Sequence, residues 1–335
     1  LLTHNGTSAT YTIPWDIEDD GLYLSGKSRD NINRWWNADT VTGIGQLRRW
    51  DEPAVESASA NGFADSANTT VDMGSDFLAG AHVIYNWKLG GAAATSSPAG
   101  TIASSVSVNS TLKMSVGTYT GTGTAGTVGH GLGVIPQMII VVERTNDAGG
   151  WFVYHHKNTT APETDYVYLD ALTATADDAT VWNDVAPTAD LFSIGTHDDI
   201  NESSGTYTFM AFGPSEYTSF GSWAGNANAD GPFAPTLNSL GVPLQLIHFF
   251  SKNSNAANNW DNRDVARNTY NPSNTNLQPS TNGAEVSSTD YVDIVSGGLK
   301  IRTAGASLNG STNTIIYYGI GIPTIDVDGR LLAAR

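Results

Sequence analysis

The chain has 335 residues, room for two or three domains, and its 16 Lys+Arg against 33 Asp+Glu give a formal charge of −17. That balance lacks the basic footprint that nucleic acid or an anionic membrane surface requires. The absence of Cys excludes disulfides, thiol nucleophiles and Cys-ligated metal, while nine Trp and 10 % aromatic residues provide for a packed core.

The N-terminal Leu1-Leu2-Thr3-His4-Asn5-Gly6 has no basic region followed by an apolar one and does not begin with Met. It reads as the start of a fragment or processed product, without a signal peptide. Short helical turns are expected near Ala54–Ala60 and in the C-terminal tail. Asn-Gly pairs at Asn5-Gly6, Asn61-Gly62, Asn282-Gly283 and Asn309-Gly310 signal turns. His82–Lys88 reads as a strand. Gly90 to Ser115 is rich in Gly, Ala, Ser and Thr and reads as a linker or an extended connecting strand. Gly121-Thr-Gly123-Thr-Ala-Gly126 matches the letter of a dinucleotide fingerprint, but the Gly-rich continuation to Pro136 cannot supply the required helix. A glycine-rich β-turn is the expectation there.

Gln137–Glu143, introduced by Pro136, is the strongest strand signal. Its Met138-Ile139-Ile140-Val141-Val142 is among the longest apolar runs, far short of the roughly 20 residues of a spanning helix. Trp151–Tyr154, Tyr166–Leu169 and Thr206–Phe212 follow as strands. His155 and His156, with Asp165, invite a metal reading, but adjacent strand residues point to opposite faces. Asp177 and Asp178, and then Asp198 and Asp199, are candidate Ca²⁺ ligands, set against solvated turns on an acidic surface. Residues 117–213 hold 12 acids against Arg144 and Lys157, a net of −10. Trp151, Trp182, Trp223 and Trp260 raise the question of sugar stacking. Trp182 and Trp223 are the carbohydrate candidates retained. No nucleophile motif appears, since Gly213-Pro-Ser215-Glu misses Gly-x-Ser-x-Gly, and no pair of carboxylates stands out. The chain is therefore read as a non-enzyme with no required cofactor.

Repetition carries more information than any motif. Asn201–Gly213 aligns with Asn309–Gly321 at an offset of 108, and Trp151 with Trp260 at 109. Pro136 aligns with Pro243 at 107, and Gly117–Gly121 with Gly221–Gly225 at 104. A weaker copy near the N-terminus sets Trp35-Trp36 against Trp151, and Val71–Gly74 against Phe192–Gly195. Trp151 with Trp260, and Trp223 with Tyr119, are repeat-equivalent, which favours a core role for them. The fold class expected is all-β, with about three related tandem β-sandwich-like modules in a row and little helix. The boundaries are 1–90 for a degenerate first module, 91–115 for the linker and 116–213 for the second module. The third module is 214–322 and the tail 323–335.

The segment Val128-Gly-His130-Gly-Leu132-Gly133-Val-Ile-Pro136 resembles a His-x-Leu-Gly-x-x-Pro element of tailed-phage fibre and virion proteins. The likeness continues through Trp182-Asn183-Asp184, Ala186-Pro187-Thr188 and Gly205-Thr-Tyr207 to Phe220–Asn226 and Asp230–Phe233. The chain is thus similar, over about residues 80–320, to repeat-built fibre-like or lectin-like structural proteins of tailed bacteriophages, mainly marine phages. The third copy departs from the element, reading Leu237-Asn-Ser-Leu-Gly241-Val-Pro243. The resemblance implies a virion location, a fibre or spike role in host attachment, and a homo-trimer touching other virion proteins and a host-surface glycan. It carries no catalytic or binding residue. A capsid or tail decoration or connector protein, and a lectin-like carbohydrate-binding module, are the alternatives.

Overall fold

The computed structural model describes residues 2–4, 10–59, 61–91, 93–95, 100–146 and 149–324. The Asn5-Gly6 turn and the tail from residue 325 lie outside the described residues.

Three antiparallel sheets repeat one plan. In the first module the strands run Leu2–His4, His82–Lys88, Leu22–Ser28, Trp36–Asp39. In the third they run Thr218–Ala224, Thr314–Pro323, Leu244–Asn253, Asp261–Asp264. The second has Met114–Thr120, Thr206–Phe212, Met138–Glu143, Phe152–His155 as the middle of an eight-stranded sheet. In each, the last strand of the module in sequence inserts beside the first, so a module closes only when its chain is complete.

Each sheet is backed by a second one. These are Thr10–Thr12, Thr70–Met73 and Phe63–Ala67 in the first module, and Gly126–Gly129 with Leu191–Ile194 in the second. The third uses Phe233–Pro235, Gly298–Ile301, Val286–Val295 and Ser273–Asn276. Ile139, Val141, Phe192 and Phe209 fill the second sandwich, Leu246, Phe249, Leu299 and Ile315 the third, and Leu24, Trp36, Phe63 and Phe77 the first. Helix among the described residues is confined to single turns.

The modules follow one another in sequence but do not stand in a row. The faces of the three main sheets that point away from their own sandwiches meet in a shared core. It includes Tyr85 and Trp87 from the first module, Ile140, Met210 and Phe212 from the second, and Phe250, Trp260 and Tyr318 from the third. Rings touch across the junctions: Trp50 on Phe250 at 5.6 Å and Phe212 on Tyr318 at 4.9 Å between centroids. About 20 Å³ of free space remains among them, walled by apolar side chains, room for no more than one water that would find no partner.

This arrangement explains Met138–Val142. Alternate residues of a strand face opposite sides. Ile139 and Val141 enter the sandwich while Met138, Ile140 and Val142 enter the shared core. A strand buried on both faces reads as an unbroken apolar run.

One expectation fails, and another is decided in favour of its strand alternative. Ser57–Ala58 is a strand paired with Gln46–Leu47, not part of a helical turn. The short segment finds a backbone partner that its composition does not announce. The linker is largely sheet: Ser104–Asn109 forms a hairpin with Met114–Thr120, and Ala94–Thr95 pairs with its outer edge. Small residues are needed where backbones approach closely, and a Cβ on Gly90 would stand 1.7 Å from the Val108 carbonyl oxygen.

Candidate functional site

Trp35, Trp151 and Trp260 are the three largest fully buried side chains and occupy equivalent places just before the fourth strand of each main sheet. The Trp35 amide donates to Asp51 at 2.8 Å and the Trp151 amide to Asp170 at 3.0 Å. Burial pushes the Asp170 carboxyl up to about 6. Trp35 Nε1 of the first module donates to the Gln278 carbonyl of the third at 3.0 Å. Trp260 Nε1 of the third donates to the Tyr168 carbonyl of the second at 2.7 Å. The rings thus pin neighbouring modules together in one rotational sense.

Polar seams run the other way round. Asp39, His155 and Asp264 are equivalent, at the ends of the three fourth strands. Asp39 binds Arg48, which also holds Glu56, and Glu56 takes Arg144 of the second module. His155 Nε2 donates to the Tyr317 carbonyl of the third module at 3.0 Å. Asp264 accepts from Arg267 and, at 2.9 Å, from the Tyr85 hydroxyl of the first module. Glu285 closes that seam between Arg267 at 3.1 Å and Arg29 of the first module at 2.8 Å. Buried charges tolerate such positions only when paired and hydrogen-bonded.

The histidines are structural. His155 is enclosed and its imidazole is lowered to about 3, by burial first and then by His156; His156 itself falls to about 4. Nδ1 of His155 accepts the Lys157 amide at 3.2 Å, so the neutral ring is fully satisfied. His130 repeats this, accepting the Leu132 amide at 3.2 Å while Nε2 faces the Thr188 carbonyl at 3.2 Å. Asp165, the imagined third metal ligand, is engaged by Thr159. The third module does not lose the turn that His130 builds. Asn238 replaces the histidine and accepts the amides of Leu240 and Val242, both at 2.9 Å. Gly133 and Gly241 both take positive φ, +65° and +74°.

The two tryptophans retained for sugar binding offer no face. Trp182 is 2 % exposed and stands edge-on to Tyr154. Trp223 is 5 % exposed and donates from Nε1 to the Leu308 carbonyl at 2.8 Å. Its repeat partner Tyr119 does the same to the Ile200 carbonyl at 2.6 Å. Both side chains support core packing, which corrects the carbohydrate expectation at these positions. Asp177 ends a two-residue strand. Asp178 caps the following turn of helix, accepting from the amide and hydroxyl of Thr180. Asp198 and Asp199 sit in the first turn of the next helix, capped by His197. Among the described residues no group of three or more His, Asp or Glu side chains converges as a metal donor set. The Gly121–Gly126 stretch runs into the strand Gly126–Gly129, not a helix.

Two buried lysines have shifted ionisation. Burial lowers Lys27 and Lys252 to about 8. Both ammonium groups lie against backbone carbonyls, Ser28 and Asn31 for Lys27 and Asn258 for Lys252. Neither opens to a cleft.

A larger concavity lies elsewhere. A cavity of about 450 Å³ opens at one end of the third sandwich, lined by Gln245, Val265, Asn268, Thr269, Tyr270, Asn271 and Ile294. A smaller groove of about 210 Å³ lies where the modules converge, between Trp15, Leu112, Ile247 and Ile320. The sequence does hold a signal for the larger one. Asn268 to Asn276 is a run of turn-forming residues with one aromatic, Tyr270, and a search led by Trp passes over it.

A family model described as Domain of unknown function (DUF7483) matches residues 19–321, and the chain belongs to that family. No curated protein and no solved structure matches the chain.

Proposed function

We propose that the chain is a non-enzymatic structural protein of a phage particle, a fibre- or spike-type appendage that contributes to host-surface attachment. The observation that supports this most is the shared core. Three modules whose conspicuous aromatic and charged groups are spent on mutual packing make a rigid body suited to presenting surfaces. Among the perturbed groups of the second and third modules, His130, His155 and Lys252 each bond to a backbone carbonyl inside the fold. The phage assignment itself comes from the resemblance of the His130–Pro136 element and its continuation. Homo-trimer formation and contacts with other virion proteins belong to the same proposal. They would use the outer surfaces, because the central faces are already occupied by one another.

The test is immunolabelling of intact particles with antibody against residues 117–335. Label on the tail or on projecting fibres is expected. Label spread evenly over the shell would replace attachment with decoration, and particles free of label would end the virion reading.

A further inference from the structure

We propose that the cavity at the open end of the third sandwich is a binding site for a neutral sugar, with Tyr270 as its stacking platform. The site is a property of this chain alone and stands whether or not the chain rides on a particle.

The loop that forms it is anchored at both ends. It starts at Asp264, whose Oδ1 accepts the amides of Ala266 at 3.0 Å and Arg267 at 2.8 Å. Asn268 Oδ1 then accepts from the Thr275 amide at 2.9 Å and from the hydroxyls of Ser273 and Thr275. Asn271 clamps Ile294 in both directions, donating to its carbonyl and accepting its amide at 2.9 Å each. Thr269 and Tyr270 stand between these two fixed asparagines. Tyr270 is 85 % exposed, the most exposed of the large hydrophobic side chains among the described residues. An aromatic ring held out on a braced loop loses little further entropy when a ligand stacks on it.

The lining defines the ligand class. None of its seven residues is charged, so nothing there compensates a phosphate, a carboxylate or a cation. Val265 and Ile294 supply an apolar floor. Gln245, Thr269 and Tyr270 carry amide and hydroxyl groups with no partner among the described residues. An aromatic face, an apolar floor and free neutral donors and acceptors match a hexose, which has a C–H face and a rim of hydroxyls. The volume lies in the range of small-ligand pockets, roughly 300–1,000 Å³. A peptide in polyproline conformation needs an extended groove with aromatic walls; this cavity is compact with one ring.

The experiment is saturation-transfer NMR on the full chain with D-glucose, D-galactose, D-mannose and N-acetyl-D-glucosamine, and with N-acetylneuraminic acid as the charged comparison. At least one neutral sugar should receive saturation, and more strongly than the charged one. Tyr270→Ala and Gln245→Ala should each weaken that binding about tenfold, roughly 1.4 kcal/mol, while Tyr270→Phe keeps most of it. Thermal midpoints of all three variants should match the parent, since the side chains lie outside the core. Failure of all four neutral sugars, preference for the charged one, or undiminished binding by both Ala variants would each overturn the proposal.

Discussion

Asn201 and Asn309 do one job in two modules. Each ends a single turn of helix, is fully buried, and reaches across to the loop after the first main-sheet strand. Asn201 Oδ1 accepts the Thr122 amide at 2.8 Å, and its Nδ2 donates to the carbonyls of Gly195 and Thr124. Asn309 Oδ1 accepts the Asn226 amide at 2.7 Å, and its Nδ2 donates to the carbonyls of Thr303 and Asn228. Between them the loop glycine approaches so closely that a Cβ on Gly121 or Gly225 would meet a carbonyl oxygen at 2.2 or 2.0 Å. Removing the amide strands several buried backbone groups at once. Asn309→Ala should therefore lower unfolding free energy by about 2–4 kcal/mol, from the cost of unsatisfied buried polar groups. Urea denaturation measures this, and a loss under about 0.5 kcal/mol, the scale of surface changes, would show that the clamp is dispensable. Both asparagines are visible in the sequence as identical residues at an offset of 108. What they hold is not, because most of their partners lie in loops about 80 residues away.

At the scale of elements, strands were the legible part. Thr206–Phe212 and His82–Lys88 have the bounds that their alternation and β-branched content suggest, and Met138–Glu143 begins one residue later than expected. Register was less legible. Ile140 pairs with Met210 and Phe250 with Tyr318, so with the closing strands matched at 108, Ile140 answers to Phe250 at an offset of 110 rather than the 107 suggested by the prolines. A bulge at Ile247 contributes to that displacement. The choice between linker and strand over Gly90–Ser115, and the strand in place of a helical turn at Ala54–Ala60, have one reason: small, polar residues pair in sheets when neighbours supply the burial, and composition sees only the residues themselves. The two-faced burial of Met138–Glu143 makes a specific prediction. Ile139→Ala, on the sandwich face, and Ile140→Ala, on the shared face, should each cost about 2–5 kcal/mol. A strand with one wet face would make one of the two nearly neutral, and denaturation of the pair distinguishes these cases.

For the molecule as a whole, the count of about three modules was readable from repetition, but their closure around one core was not. The inward positions Tyr85, Ile140, Phe250 and Tyr318 are apolar in a way that any sandwich strand could be, and nothing in a single sequence says which module a face will meet. The equivalence of Trp35, Trp151 and Trp260 was legible; that two of them bond to a neighbouring module was not. The candidate site was the least legible, since the cavity depends on where Gln245 and Ile294 end up relative to a loop remote from one of them. The threefold arrangement that the phage-fibre resemblance implied between chains thus has a counterpart inside one chain.

Small-angle X-ray scattering of the chain as a monomer, its mass fixed by the forward scattering so that a trimer is not taken for an extended chain, tests that closure most directly. Three modules around a shared core should give a radius of gyration of about 20 Å, the value for a compact chain of this length. Three modules of about 100 residues, each about 13 Å in radius of gyration, would give about 30 Å when set end to end, and that result from a monomer would contradict the shared core.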